Sequence, residues 1–225
     1  MGNISVKIID MDKGIVQVSN VRLGFKSLWG PNIVKGKDSE RHTAHFLFPP
    51  EDKDAFEQVY GVAKHVYSEA TGGKGKVAFN EGKARNASGS VRWDGERFGI
   101  FEEKTGKKWY CARTTQPSKY DPVYIDNKGR PVRDFDYTQV EDKVIYAGCR
   151  VNVKLQYTTS NVKGETVLWP NLVAIQFAGH DQAFGGMSEE TLTEGFGEVA
   201  SPVNEETGFG EVADSGSDLD IRNLM

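Results

Sequence analysis

Residues 144–159, VIYAGCRVNVKLQYTT, alternate at their centre. Val151, Val153, Leu155 and Tyr157 take one side, and Arg150, Asn152, Lys154 and Gln156 the other. Only extended chain has a side-chain period of two, so the stretch reads as a strand with one buried and one wet face. A turn around Lys163-Gly164 then leads into ETVLWPNLVAIQFAG (165–179), a further apolar strand. Two long strands in succession commit the chain to a sheet, and the remaining segments have to cover or close it.

The earlier segments fit that requirement. IVQVSNVRLGFKSLW (15–29) is rich in β-branched and aromatic residues and stops at Gly30-Pro31. RHTAHFLFPP (41–50) is a second strand, ended by two prolines that cannot donate to a ladder. Residues 51–73 predict a helix. Phe56, Val59, Tyr60, Ala63, Val66, Tyr67 and Ala70 share one face, acids crowd the first turn, and Gly72-Gly73 ends it. In DPVYIDNKGRPVRD (121–134) the turn Asp126-Asn127-Lys128-Gly129 separates strand-like pieces. The body is therefore mainly β, either two packed sheets or a small Greek-key barrel.

Charge divides the chain. From Asp181 onward there are eleven acids and one base, Arg222, a net of −10; the residues before it hold 27 basic and 21 acidic groups, a net of +6. Such asymmetry points to a nucleic-acid or membrane partner. No apolar run reaches membrane-span length, and the N-terminus lacks a signal-peptide core. Within 72–120, eleven basic residues face five acids, with Phe79, Trp93, Phe98, Phe101, Trp109, Tyr110 and Tyr120 interleaved. Cations tracking phosphates and aromatic faces stacking on bases are what hold a single strand. The one clear helix is acidic and makes a poor groove reader. Composition alone leaves a β-rich protein-interaction module open, with Trp93, Phe98 and Trp109 as plain core.

Catalytic constellations are thin. His42 and His45 stand three apart on a strand, which puts their rings on opposite faces. GGKGKV (72–77) lacks phosphate-loop spacing. Asp134 and Asp136 form the one pair suited to a metal-dependent nuclease. Cys111 and Cys149 are too few for a disulfide framework and read as reduced core residues. No enzyme, metal or cofactor is expected.

The chain resembles a family of phage-encoded single-stranded-DNA-binding proteins with an oligonucleotide/oligosaccharide-binding (OB) fold. The resemblance is carried by VRLGFKSLWGP (21–31), HFLFPPED (45–52), the Trp109-Tyr110 dipeptide, PVYIDNKGRPV, IYAGCRVNVKLQYT (145–158) and LVAIQFAGHDQAFGG (172–186). It implies an OB-like five-stranded Greek-key barrel over 1–186, elaborated with the amphipathic helix and a long basic β/loop insertion at about 72–120. Beyond the barrel, 187–225 would be a disordered acidic tail. It further implies sequence-independent single-strand binding in replication, recombination or repair in the host cytoplasm.

OB folds bind across one barrel face and its flanking loops. Three sets of residues are candidates for DNA contact. Arg22, Lys26 and Trp29 surround the end of the first strand, and Arg150, Asn152 and Lys154 line the polar side of the alternating strand. The third set is Lys76, Lys83, Arg85, Arg92, Trp93, Arg97, Lys107, Lys108, Trp109, Tyr110 and Arg113 in the basic segment. The tail repeats GFGEVA at 195–200 and 208–213. Tethered to a basic body, it would compete with DNA at high effective concentration. Phe196, Phe209, Asp218, Leu219, Asp220, Ile221, Leu224 and Met225 would meet replication and recombination proteins of phage or host, and a homodimer is a further expected partnership.

Overall fold

The computed structural model describes residues 3–28, 41–80, 97–102, 106–117, 119–132 and 145–184. Along them run β1 (Ser5–Asp10), β2 (Ile15–Ser27), β3 (Arg41–Phe48), a 3-10 turn (Pro50–Asp52), α1 (Lys53–Thr71), β4 (Phe79–Asn80) and β5 (Phe98–Glu102). After them come β6 (Lys108–Pro117), β7 (Val123–Ile125), β8 (Pro131–Val132), β9 (Arg150–Val162) and β10 (Glu165–Gly179). By internal packing the chain divides at Gly186 into Met1–Gly186 and Met187–Met225. The second unit lies outside the described residues, as do Asp134 and Asp136.

β9 and β10 form the long hairpin that the alternation requires, paired from Glu165↔Val162 to Gly179↔Arg150. Lys163 (φ 55°) and Gly164 (φ 87°) both sit in the left-handed region, the two-residue turn whose twist matches its strands. Asn161 Oδ1 accepts the Gly164 N–H at 2.9 Å and fixes the turn. Val151, Val153, Leu155 and Tyr157 are buried, while Arg150, Asn152 and Gln156 are half-buried and Lys154 is exposed.

The long strands lie in the order β6-β3-β2-β9-β10. The ends of that row then meet. β6 leads toward β7, which pairs parallel with β10 (Ala174↔Val123), and Gln116 Oε1 accepts the Leu172 N–H at 2.7 Å. Numbered by position in the chain, the row reads 3-2-1-4-5, a closed five-stranded Greek-key barrel of the OB kind. α1 seals it. Ala55, Phe56, Val59, Val62 and Ala63 are buried, and the Phe56 ring lies 5.7 Å from Phe48, 6.1 Å from Phe98 and 5.1 Å from Tyr110. Burying a side chain of this size contributes about 2–3 kcal/mol. Gly72, left-handed at φ 59°, ends the helix, and the Gly73 N–H returns to Ser68 O at 2.9 Å. Ala70, expected on the packed face, is exposed, and Val62 is buried instead.

Three features depart from the sequence reading. β1 was not anticipated, because SVKIID has no clean alternation. It pairs with β2, which bulges between Val18 and Val21 and then turns to β3. Asn20, at φ 60°, takes the bulge's left-handed position. Second, 145–149 is a turn and not the start of β9. Gly148 there has φ 112°, and a Cβ on it would stand 2.3 Å from Gln182 O. Third, the segment 72–120 is not all insertion, since β6 within it is a central barrel strand. Cys111 and Cys149 are buried free thiols. No described helix is long and apolar enough to cross a membrane.

Candidate nucleic-acid interface

Alternation along β3 and β6 sends one set of residues into the barrel and the other onto its outer face. Paired positions share a face, so Leu47 and Cys111, His45 and Arg113, and Thr43 and Thr115 stand together outside. Trp109 joins them through its pairing with Phe101 of β5, and Arg22 of β2 through its pairing with Leu47. In the OB fold the face of the second and third strands is the ligand face. Here those strands are β3 and β6.

One end of this face is aromatic. Leu47, Phe101, Trp109 and Cys111 form a small apolar cluster separate from the barrel core, with Phe184 packed against it. The Arg22 guanidinium lies 4.1 Å from the Phe184 ring centre and 5.0 Å from that of Trp109. Lys107 Nζ lies 4.3 Å from the Trp109 ring centre. Each such contact contributes about 0.5–2 kcal/mol, more as it is desolvated. The other end of the face is polar, with Arg113, His45 and the two threonines. Burial, aided by the Arg113 charge, pushes the His45 imidazole down to about 3, so the positive charge here belongs to arginine and lysine.

A short strap after β10 holds Phe184 in place. Arg22 Nη2 donates to Gln182 O at 2.7 Å, the Phe184 N–H to Ala147 O at 2.8 Å, and Tyr146 Oη to Asp181 O at 2.8 Å. Arg150 Nε donates to Asp181 Oδ2 at 2.6 Å. Burial pushes the Asp181 carboxyl up, but the Gln182 N–H and the Arg150 guanidinium outweigh it and hold it below the usual carboxylate range.

The expected DNA-contact residues therefore separate. Arg22, Lys107, Trp109 and Arg113 come together on the outer face of β3 and β6. The Arg97 carbonyl accepts the Arg113 N–H at 2.8 Å, which puts Arg97 at its margin. Within this group Trp109 is 2% and Arg22 6% exposed, so both are packed into the face and not spread upon it.

Other candidates stand elsewhere. Tyr110, adjacent to Trp109, points to the opposite side by the period of two and stacks on Phe56 of α1. Lys108 is exposed across from Glu102. Arg150, by contrast, pairs with Arg22 and shares its outer face, but its guanidinium is committed to Asp181. Asn152 accepts the Asn20 N–H at 2.9 Å and donates to Gln176 Oε1 at 2.9 Å. With Lys154 it lines a shallow concavity of about 270 Å³ beside Gln17 and Gln176. Lys76 is exposed in the loop after α1, on the helix side. The Lys26 backbone pairs with Ala44. Trp29, Lys83, Arg85, Arg92, Trp93 and all the tail residues lie outside the described residues.

His42 and His45 do lie on opposite faces. The buried His42 ring meets the exposed Asp121 Oδ1 through Nε2 at 2.8 Å, and the described residues hold no cluster of three potential metal ligands. The sequence reading missed Phe184, which it saw only as part of a motif. Its distance from the basic segment hid the contact, and only Phe184's place before the acidic run marked it.

Comparison with known proteins gives concordant results. A family model described as Enterobacter phage Enc34, ssDNA-binding protein, matches residues 14–207. The protein p50 of Acyrthosiphon pisum secondary endosymbiont phage 1 is 26% identical over 191 residues, covering 85% of this chain and 97% of that relative. Among solved structures, the single-stranded DNA-binding protein from bacteriophage Enc34 in complex with ssDNA superposes with a TM-score of 0.55 at 16% identity, over 76% of this chain and 90% of that one. Its C-terminal truncation gives 0.53 at 16% identity, over 80% and 98%. These structures share the fold.

Proposed function

The chain belongs to the family of the Enterobacter phage Enc34 ssDNA-binding protein, and from that premise we propose that the outer face of β3 and β6 is where it holds single-stranded DNA. Single-strand binding is the function of the family. The observation that supports this location is the outer row itself, with Lys107 over Trp109, Arg22 between two rings, and Arg113 beyond. It combines cationic charge and aromatic surface along one strand pair. Among the described residues no side chain is arranged like a duplex reader, which needs a helix or ribbon entering a groove.

Binding of this kind is sequence-independent, because phosphates and ring faces are common to all nucleotides. It suits coating and protecting strands during phage DNA replication, recombination or repair in the host cytoplasm. The protein acts by binding and not by catalysis. The acidic chain beyond Asp181 competes with DNA for the basic face and offers its tip to replication proteins. A gel shift with poly-dT against duplex of equal length tests the reading. The expected outcome is strong preference for the single strand, weakening with salt. Equal or tighter duplex binding would sink it. Labelled single strand incubated with Mg²⁺ should stay intact.

A further inference from the structure

The outer row of β6 runs through Trp109, Cys111, Arg113 and Thr115 and ends at Pro117, where the chain turns toward β7. Tyr120 stands in that turn. It is 57% exposed, the highest value of any large apolar side chain among the described residues. Its backbone is nevertheless held on both sides. The Tyr120 N–H donates to Pro117 O at 3.0 Å, and its carbonyl accepts from Gln116 Nε2. Gln116 is itself 4% exposed, and its Oε1 takes the Leu172 N–H at 2.7 Å, which anchors it to β10. The next residue, Asp121, places Oδ1 2.8 Å from Nε2 of the buried His42.

A ring so exposed adds little to the core, and turns ordinarily take glycine, proline, asparagine, aspartate or serine. Packing therefore does not account for a tyrosine here. Its neighbour points to a use. Lys119 Nζ lies 4.9 Å from the Tyr120 ring centre, and Lys119 is exposed as well. An accessible ring on a fixed backbone, with a cation beside it, can hold one nucleotide: the ring takes the base and the ammonium the phosphate. Trp109 and Pro117 are eight positions apart on β6, so about 27 Å separates the aromatic end of the outer face from this turn.

We propose that Tyr120 and Lys119 form a second contact station for single-stranded DNA, at the opposite end of β6 from Trp109. The inference rests on the single-strand reading above and adds an extent to it: the bound strand reaches past the outer face to the turn before β7. A base lies on the Tyr120 ring, and Lys119 meets the adjoining phosphate. Neither contact reads sequence, since every base has a ring face and every nucleotide a phosphate.

The test uses the full chain and a dT oligomer of about 16 nucleotides, enough for the longest OB-fold site, with binding followed by fluorescence anisotropy across a salt series. Tyr120→Leu keeps an apolar side chain but loses the flat ring, and should weaken binding on the order of 5- to 100-fold. Tyr120→Phe keeps the ring and should bind within about threefold of wild type. Lys119→Gln should lower the slope of log affinity against log salt by about 0.7, the value of one phosphate contact on a single strand. Wild-type affinity in Tyr120→Leu, or an unchanged salt slope in Lys119→Gln, would overturn the proposal. Failure of the wild-type chain itself to bind dT would instead refute the single-strand reading. Should Tyr120→Leu not fold, photocrosslinking of 5-iododeoxyuridine oligomers to the wild-type chain decides. A crosslink mapped to Tyr120 supports stacking, and crosslinks confined to other peptides overturn it.

Discussion

Arg150 Nε and Asp181 Oδ2 stand 2.6 Å apart, and each side chain is only 13% exposed. A guanidinium so committed joins the start of β9 to the strap after β10 as a structural tie. Removing one partner of such a pair leaves the other charge buried and uncompensated. Arg150→Met should therefore lower unfolding free energy by about 3 kcal/mol in urea denaturation. Pairing it with Asp181→Leu should recover much of that loss. A single variant as stable as wild type would show the pair to be idle.

Trp109 is 2% exposed among Leu47, Phe101 and Cys111, so its ring is first of all packing. Trp109→Ala should destabilise the fold by about 3–5 kcal/mol. Trp109→Phe should retain most of the stability. Equal stability of the alanine variant, measured by thermal or chemical unfolding, would place the ring on the surface after all.

His45 carries a pH dependence whose sign follows from burial. Its folded value is down at about 3, below the ordinary 6.5, so the unfolded chain binds the proton more readily between those limits. The stability it contributes is complete above pH 6.5 and is lost as pH falls toward 3, with a limiting slope of about 1.4 kcal/mol per pH unit. His45→Gln should flatten that limb of the stability profile. An unchanged acid limb would rule out His45 as its source. DNA affinity between pH 6 and 8 should not respond to this residue, which stays neutral there.

Truncation after Gly186 removes ten of the eleven acids that follow Gly179. Affinity for dT oligomers should rise at low salt and converge with the full chain at high salt, because competition between tail and phosphate is electrostatic. Identical titrations at low salt would leave the tail without a part in binding.

The barrel was legible where the pattern was local. Val151 through Tyr157 alternate, Lys163-Gly164 turns, and Phe56 to Ala63 repeat at helical spacing, so each element could be read from its own window. β1 escaped because Ile8 and Ile9, adjacent and 39% and 45% exposed, break the alternation at a bulge. The proposed face was half legible. Lys107, Trp109 and Arg113 share β6 and a parity, so a single strand gives them away. Tyr110 lies on the opposite side of β6 from Trp109, which composition ignores, and the acidic partner of Arg150 comes after the next strand, in the strap beyond β10. Phe184 carried only the weak signal of its place before the acidic run. Its contacts to Arg22, Trp109 and Phe101 arise only when the closing strap meets the second, fifth and sixth strands.

The central claim is that the outer face of β3 and β6 meets the strand, and lysine acetylation footprinting reads it most directly. Lys107 projects over Trp109 on that face, while the exposed Lys154 lies on the outer side of β9 and Lys13, 73% exposed, lies in the β1–β2 turn. A saturating dT oligomer should protect Lys107 severalfold and leave Lys154 and Lys13 modified at the free rate. Lys107 reacting as in the free protein, with Lys154 protected in its place, would contradict the account and move the site to β9 and β10.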